Sequence, residues 1–332
     1  MKYNAIYGQS GGPTSVINAS LYGVIKACQN NELIDNLFLM HNGIKGLISN
    51  DVKNVKDIPL EEIELLKNTP SAILGSIRYK LKNYIDDDSD YKKIVKVLKL
   101  NNIKYIFLNG GNDSMDTTKK LSEYFKKIDF ECYVVGIPKT IDNDLTETYF
   151  TPGFPSASKF IANCIKDVFY DNETYPQGRV NIVEIMGRDT GWLTASSALA
   201  NPYGPDLIYV PEIPFNEEKF LLDVKTIYEK KKRCLVAVSE GIKNQNGQFV
   251  FQQNSNDVFN HHQLGGVGLY LSNLISDRLN YPTRAIELSL LQRCYSQLTS
   301  KVDVTAAIKC GKKAVSLATS KKTNIMVIIK SN

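Results

Sequence analysis

The sequence is poor in the residues that build metal and redox centres. It holds three histidines, one tryptophan and six cysteines in 332 residues. The cysteines (Cys28, Cys132, Cys164, Cys234, Cys294, Cys310) form no CxxC pair and have no histidine at ligand spacing, so a zinc site of the usual patterns is excluded. That usage suits free, mostly buried thiols in a reducing cytoplasm. No apolar run approaches the ~20 residues that cross a bilayer, and the longest candidate, Ile325–Ile329, is strand-sized. Met1-Lys2-Tyr3-Asn4 lead straight into a strand-like segment, so no leader peptide is expected. There is no long block of like charge either. The 40 Lys and Arg exceed the 35 Asp and Glu by only five and are spread along the chain. That leaves no nucleic-acid footprint and fits anionic small molecules.

What is present is an ordinary globular composition, 43% apolar and 23% charged, over a length that suggests about two domains. Short β-type runs alternate with helix-length amphipathic stretches. Strands are expected at Ala5–Tyr7, Leu37–Met40, Tyr105–Leu108, Tyr133–Ile137, Val180–Ile185, Leu207–Val210, Leu235–Val238 and Ile325–Ile329. Helices are expected at Pro13–Asn30, Tyr91–Leu100, Asp113–Phe125, Ser156–Tyr170, Ala195–Ala200, Glu217–Lys231 and Gly266–Leu279. This alternation predicts an α/β chain of two Rossmann-like, doubly wound domains with mainly parallel sheets. The polar stretch Pro138–Pro155 reads as a hinge, and Lys243–Gln263 as a surface insertion. The expected domains are 1–152 with about 292–320, and 153–291 with the C-terminal tail.

In such folds ligands bind where strands end and loops lead into helices. Three of those loops carry chemistry. Gly8-Gln9-Ser10-Gly11-Gly12-Pro13-Thr14 lets the backbone approach an anion before a helix that Pro13 would open, although the GKS/GKT signature is absent. Asn109-Gly110-Gly111-Asn112-Asp113-Ser114 is a second glycine cradle, with an acid where phosphate would otherwise dock; either Asn112 or Asp113 also suits a helix N-cap. In Gly136-Ile137-Pro138-Lys139-Thr140-Ile141-Asp142-Asn143-Asp144, two carboxylates stand two residues apart, facing one way if the segment is extended. One would act on a proton and the other on a metal or its water, with Lys139 as a movable charge for a phosphoryl oxygen.

Together with Met186-Gly187-Arg188, Val238–Ile242, Asp257–Gly268 and Leu291-Gln292-Arg293, these motifs resemble the phosphofructokinases, most closely their pyrophosphate-dependent branch, from about Ala5 to Ile329. The resemblance implies reversible transfer of phosphate from pyrophosphate to the 1-hydroxyl of fructose 6-phosphate, with Mg2+, in a cytoplasmic homodimer or homotetramer of glycolysis and gluconeogenesis. It gives the first domain to the phosphoryl donor and the second to the sugar phosphate. It implies Asp142 as general base, with Lys139 and Asp113 also catalytic, and Gly11, Gly12, Arg78 and Ser114 at the donor. Thr140, Ile141, Met186, Gly187, Arg188, Glu240 and Tyr281 would hold the sugar. Arg284 and Arg293 would grip the 6-phosphate, with Arg179 reaching it from a neighbouring subunit. Asn112 and Asp144 would face the metal.

ATP-using members have Gly at the positions of Asp113 and Lys139. A carboxylate ~4 Å from a nucleotide phosphate would repel it by about 4 kcal/mol at an effective dielectric of 20, roughly a thousandfold in affinity. Asn112 stands where many members have an acid, Leu290 where ATP-using bacterial members have a sugar-binding His, and Tyr22 at one arginine of their effector site, where Lys26 keeps a charge. Three other readings stay open on the sequence: an ATP-dependent enzyme of the same chemistry, a non-catalytic sugar-phosphate-binding regulatory subunit, and a kinase for another metabolite.

Overall fold

The computed structural model describes residues 2–77, 79–251 and 264–331. In chain order the elements begin with β1 (Tyr3–Gln9), α1 (Ile17–Gln29), β2 (Ile34–Met40), α2 (Ile44–Ser49), β3 (Val52–Asn54), α3 (Leu60–Leu65), α4 (Ser89–Leu100), β4 (Ile103–Gly110), α5 (Asn112–Lys127) and β5 (Tyr133–Pro138). There follow α6 (Phe154–Glu173), β6 (Val180–Ile185), α7 (Trp192–Ala195), β7 (Leu207–Tyr209), α8 (Glu217–Lys231), β8 (Cys234–Ser239), α9 (Val267–Leu279), β9 (Thr283–Glu287), α10 (Leu291–Cys294), α11 (Lys301–Thr319) and β10 (Ile325–Met326). They form two compact units. One comprises residues 1–141, 145–155 and 293–332, the other residues 142–144 and 156–292. No helix among the described residues is long and apolar enough to cross a membrane.

The first unit holds a six-stranded sheet in the order β10-β5-β4-β1-β2-β3. It is parallel except for β3, which runs antiparallel to β2 at one edge. Its central strands β1, β4 and β5 are buried on both faces, and the period of two sorts their side chains. Ala5, Tyr7, Tyr105, Phe107, Val135 and Ile137 join one core with α1 and α11. Ile6, Ile106, Leu108 and Val134 join the other, with Leu47 of α2, Tyr91 and Ile94 of α4 and Leu121 of α5. The second unit holds a four-stranded parallel sheet, β7-β8-β6-β9. Val180, Ile182, Cys234, Val236 and Val238 pack on Phe220, Val224, Leu271 and Ile275 of α8 and α9. The intervening Val183, Ile185, Leu235 and Ala237 are buried as well.

Several sequence expectations change here. Helix α1 opens at Ile17, four residues beyond Pro13. The Thr14 carbonyl accepts the Ser71 N–H (3.1 Å) and the Thr14 hydroxyl accepts the Val16 N–H (3.3 Å), so residues 11–16 serve as a loop. Residues 192–200 form one α turn, α7, and then a 3-10 turn, Ser196–Ala200, where part of an α-helix is expected at Ala195–Ala200. The C-terminal tail lies with the first unit, because Ile325 and Met326 pair with Val135 and Gly136 of β5. Helix α11 and strand β9 were not anticipated. The buried face of α11 is mostly small, Ala307, Gly311, Ala314 and Ala318 beside Cys310 and Val315, and carries the acid Asp303, which weakens the amphipathic signal. The described part of Lys243–Gln263 begins as a short antiparallel bridge, Lys243 to Phe249, and residues 252–263 lie outside the described residues.

Small residues set the crossing of α1 and α11. A methyl placed on Gly23 would lie 2.2 Å from the Ile308 carbonyl oxygen, and one on Gly311 would lie 2.2 Å from that of Ser20. The contact is backbone to backbone, so no side-chain rotation relieves it. Gly311→Ala is expected to lower the unfolding free energy by about 2 kcal/mol, as overpacking of a dense core does. Urea unfolding followed by far-UV circular dichroism checks this, and an unchanged midpoint would count against the close crossing.

Candidate active site

In the first unit the chain turns in opposite directions from β1 and β4. It proceeds through α1 to β2 on one side and through α5 to β5 on the other. A crevice therefore opens at the carboxyl ends of β1 and β4, the place where open α/β sheets bind ligands. The ladder keeps the three strand exits level. Gln9 pairs with Asn109, and Asn109 with Ile137. The Ser10 N–H then donates to the Asn109 carbonyl and the Lys139 N–H to that of Gly110, both at 3.0 Å.

Gly11 lies at φ 77°, a conformation that favours glycine. The Lys139 side chain is buried, 3% exposed, and its Nζ donates to the Gly12 carbonyl at 2.6 Å. On the other side of the loop, a methyl on Gly12 would come within 3.0 Å of an Arg293 guanidinium nitrogen. Two cations thus flank the glycines. A buried polar network steadies them from behind. The Gln9 amide donates to Asn18 Oδ1 (2.8 Å), while Asn18 Nδ2 donates to the carbonyls of Thr69 and Ser71 (2.9 and 2.7 Å). The Ser76 hydroxyl closes on the Gly11 carbonyl at 2.7 Å. Arg78, two residues on, lies outside the described residues.

Across the crevice, α5 is capped by the Gly111 backbone with no side-chain cap, so the N-cap reading of Asn112 or Asp113 does not hold. Both residues are exposed in its first turn. Ser114 turns inward, and its hydroxyl lies so close to Gly110 that a methyl there would sit 1.9 Å away.

The segment after Lys139 is a bend. Ile141 is buried, Asp142 and Asp144 are half-buried, and Asn143 takes φ 56°. Asparagine tolerates that left-handed conformation. The extended geometry expected for the two carboxylates is therefore absent, and the rule that alternate residues face one way does not apply to them. Residues 142–144 belong to the second unit. There the Thr190 hydroxyl donates to the Asp142 carbonyl at 3.1 Å.

In the second unit Met186, Gly187 and Arg188 follow β6, and Glu240 follows the neighbouring strand β8. Their loop is held at every step. The Met186 N–H donates to Gln292 Oε1 (3.2 Å), and the Gly187 N–H to Glu240 Oε1 (3.4 Å). The Ser239 hydroxyl donates to the Gly187 carbonyl (2.6 Å), and the Gly191 N–H to Glu212 (2.7 Å). Gly187 itself lies at φ 147°.

Arg179, Tyr281 and Arg284 are elsewhere. Arg179 precedes β6, and Arg284 pairs with Asn181 near the start of that strand. Four residues of strand, about 13 Å, separate that level from the end of β6. Tyr281 stacks on Tyr228 at 4.2 Å, and Arg179 covers the Tyr175 ring at 5.4 Å. The sequence reading grouped Arg284 with Arg293. The structure puts Arg284 with Arg179 at the amino end of the second sheet, and Arg293 against the glycine loop of the first unit. Residues 257–263 of the Asp257–Gly268 motif lie outside the described residues.

A family model described as Phosphofructokinase matches residues 4–318. The chain belongs to the phosphofructokinase family. It is 37% identical over 335 residues to a pyrophosphate--fructose 6-phosphate 1-phosphotransferase of Halomonas elongata, covering 99% of this chain and 80% of that protein. It is 33% identical over 323 residues to a sulfofructose kinase of Alkalicoccus urumqiensis, covering 96% and 81%. The crystal structure of the pyrophosphate-dependent phosphofructokinase of Marinobacter aquaeolei superposes with a TM-score of 0.88 at 33% identity, over all of this chain and 79% of that one.

The chain carries a buried acid, Glu184, that the motifs do not include. Glu184 sits inside β6, 3% exposed, and accepts the N–H groups of Gly266 and Gly268 at 3.0 and 2.7 Å, bracketing the start of α9. Burial raises its pKa while those two N–H groups hold it down. A charge inside the buried run Val-Asn-Ile-Val-Glu-Ile was the available signal. Glu240 is pushed up to about 7, mainly by burial. The Gly187 N–H and Arg188 work against the rise, and the carboxylates of Glu184 and Asp142 add to it. Among the described residues there is no group of three or more His, Cys, Asp or Glu able to hold a metal.

A carboxyl raised on folding keeps its proton in the folded state while the unfolded chain loses it near 4.5. Its stabilisation is full below that pH and is lost as pH rises through about 7. Glu240→Gln is therefore expected to match the parent in stability at pH 4.5 and exceed it at pH 8, by on the order of 3 kcal/mol. Urea titrations at the two pH values check the sign.

Proposed function

We propose that this chain catalyses reversible transfer of a phosphoryl group from pyrophosphate to the 1-hydroxyl of fructose 6-phosphate, giving fructose 1,6-bisphosphate and phosphate. The observation that carries this reading is the pair formed by the buried Lys139 ammonium at the Gly12 carbonyl and the exposed Asp113 carboxylate in the first turn of α5. A carboxylate at that helix start repels a nucleotide's extra phosphate, whereas pyrophosphate has none there. The names of the Halomonas and Marinobacter proteins support the same donor.

The first unit takes the donor, with Gly11, Gly12 and Ser114 around it, and the family resemblance adds Arg78 to the donor-binding residues. Asp142 removes the 1-hydroxyl proton as the sugar oxygen attacks one phosphorus. The bridging P–O bond breaks, and inorganic phosphate leaves. Lys139 offsets charge on the transferring group, which is where phosphoryl transfer needs stabilisation. Lys139 and Asp142 are three residues apart, so the covalent chain alone keeps them within about 11 Å. Met186, Gly187, Arg188 and Glu240 hold the sugar, with Thr140 and Ile141 alongside.

The oxygen-only donor set fits magnesium, which keeps several waters and leans on substrate phosphates rather than on a full protein cage. Asn112 and Asp144 are the residues that would hold it, and the ion would neutralise phosphate charge. Arg179, Arg284 and Tyr281 lie toward the amino end of the second sheet, whereas Glu240 follows the carboxyl end of β8. We assign them to the 6-phosphate of a neighbouring subunit's sugar, which requires a homodimer or homotetramer. A cytoplasmic role in glycolysis and gluconeogenesis follows from this chemistry.

The first test supplies pyrophosphate and ATP separately, at equal concentration, with fructose 6-phosphate and magnesium. Product from pyrophosphate alone is expected. Product from ATP alone would overturn the charge argument, and no product from either would favour the sugar-phosphate-binding reading. Sulfofructose as acceptor belongs in the same assay, given the relative from Alkalicoccus. Lys139→Met is expected to lower kcat by about 100-fold or more while KM for fructose 6-phosphate changes little. Equal loss in both would make Lys139 a ground-state or structural group. Asp113→Gly combined with Lys139→Gly is expected to admit ATP.

A further inference from the structure

One buried acid lies outside the site described so far. Asp303, in the first turn of α11, is 0% exposed. Its Oδ1 accepts the N–H of Gly153 at 2.9 Å.

Gly153 is no ordinary partner. It forms a parallel bridge with Thr140, and its φ is 116°. A methyl on it would lie 2.7 Å from Cγ2 of Thr14 and 3.2 Å from the Thr140 carbonyl. The two residues before it also grip Thr140. The Thr140 N–H donates to the Pro152 carbonyl (3.2 Å), and the buried Thr151 hydroxyl donates to the Thr140 carbonyl (2.8 Å). Thr140 directly follows Lys139 and lies two residues before Asp142. The run 151–153 is thus a short strap along the backbone that carries the ammonium and the base, and Asp303 is the anchor of the strap.

We propose that Asp303 is a positioning residue for phosphoryl transfer. Through Gly153 and Thr151 it fixes the backbone of Thr140, and with it the placement of Lys139. The catalytic part of this inference rests on the function proposed above; the strap itself does not.

The test therefore has a readout independent of turnover. Asp303→Ala leaves the buried Gly153 N–H without its acceptor, and amide hydrogen exchange at Thr140 is expected to quicken at least tenfold. In the pyrophosphate assay kcat is expected to fall about 30-fold, with both KM values within about threefold of the parent. Asp303→Asn keeps an oxygen for the Gly153 N–H and is expected to restore most of kcat and of the protection at Thr140. Thr151→Val cuts the strap without touching Asp303 and is expected to share the alanine signature, so it replaces Asp303→Ala if that variant does not fold. Unchanged exchange at Thr140 in Asp303→Ala, or in Thr151→Val if it stands in, would overturn the strap. Faster exchange with parental kcat, or raised KM with kcat intact, would overturn the positioning role. A parent protein inactive with pyrophosphate would overturn the proposed reaction, and with it this catalytic role, leaving the exchange result to decide the strap.

Discussion

The parallel register of β1, β4 and β5 is the constraint on which the first unit depends. Because Gln9, Asn109 and Ile137 sit level across the three strands, their exits start from one line at one edge of the sheet. A slip of one residue would move an exit by about 3.3 Å and reverse every side chain between the two cores. The buried side chains on both faces forbid that slip. Tyr7 and Phe107 have room only on the α1 side, and Ile6 and Ile106 only on the other. Chemistry at the loops is thus positioned by packing several residues away from it.

Electrostatics shape the site through what is withheld from water. The Lys139 ammonium is withdrawn from water beside the glycines, where it donates to the Gly12 carbonyl. Glu184 and Glu240 are the counterpart in the second unit: acids sunk at or near a strand end and steadied by backbone N–H groups. In each case glycine backbone meets the charged group. The absence of side chains there lets main-chain dipoles come close.

Much of this was legible in the sequence. Buried β runs such as Val180–Ile185 announce parallel strands, and the motifs at Gly11, Gly111 and Met186 announce the loops that follow them. Two kinds of feature were not legible. Contacts between distant residues have no local pattern: nothing near Asp303 names Gly153, and nothing near Gln292 names Met186. Local backbone geometry was the other. The left-handed Asn143 turned an expected extended pair of carboxylates into a bend, and the use of Thr14 to hold Ser71 delayed α1 until Ile17. The two arginine groups show the same limit. Spacing in the sequence orders Arg179, Arg284 and Arg293, but only strand register shows that the first two share one end of a sheet.

The close crossing of α1 and α11 joins the beginning of the chain to its end. Residue 23 leaves the ribosome long before residue 311. Until then one face of the first sheet, with Tyr7, Leu21 and Val24, lacks the side chains of Cys310, Ala314 and Val315 that complete its core. Residues 156–292 are synthesised in between as one continuous stretch. The second unit can therefore fold during translation before α11 is made, whereas the first must wait for α11. In the interval its apolar face is exposed to whatever chaperones or neighbouring nascent chains are near.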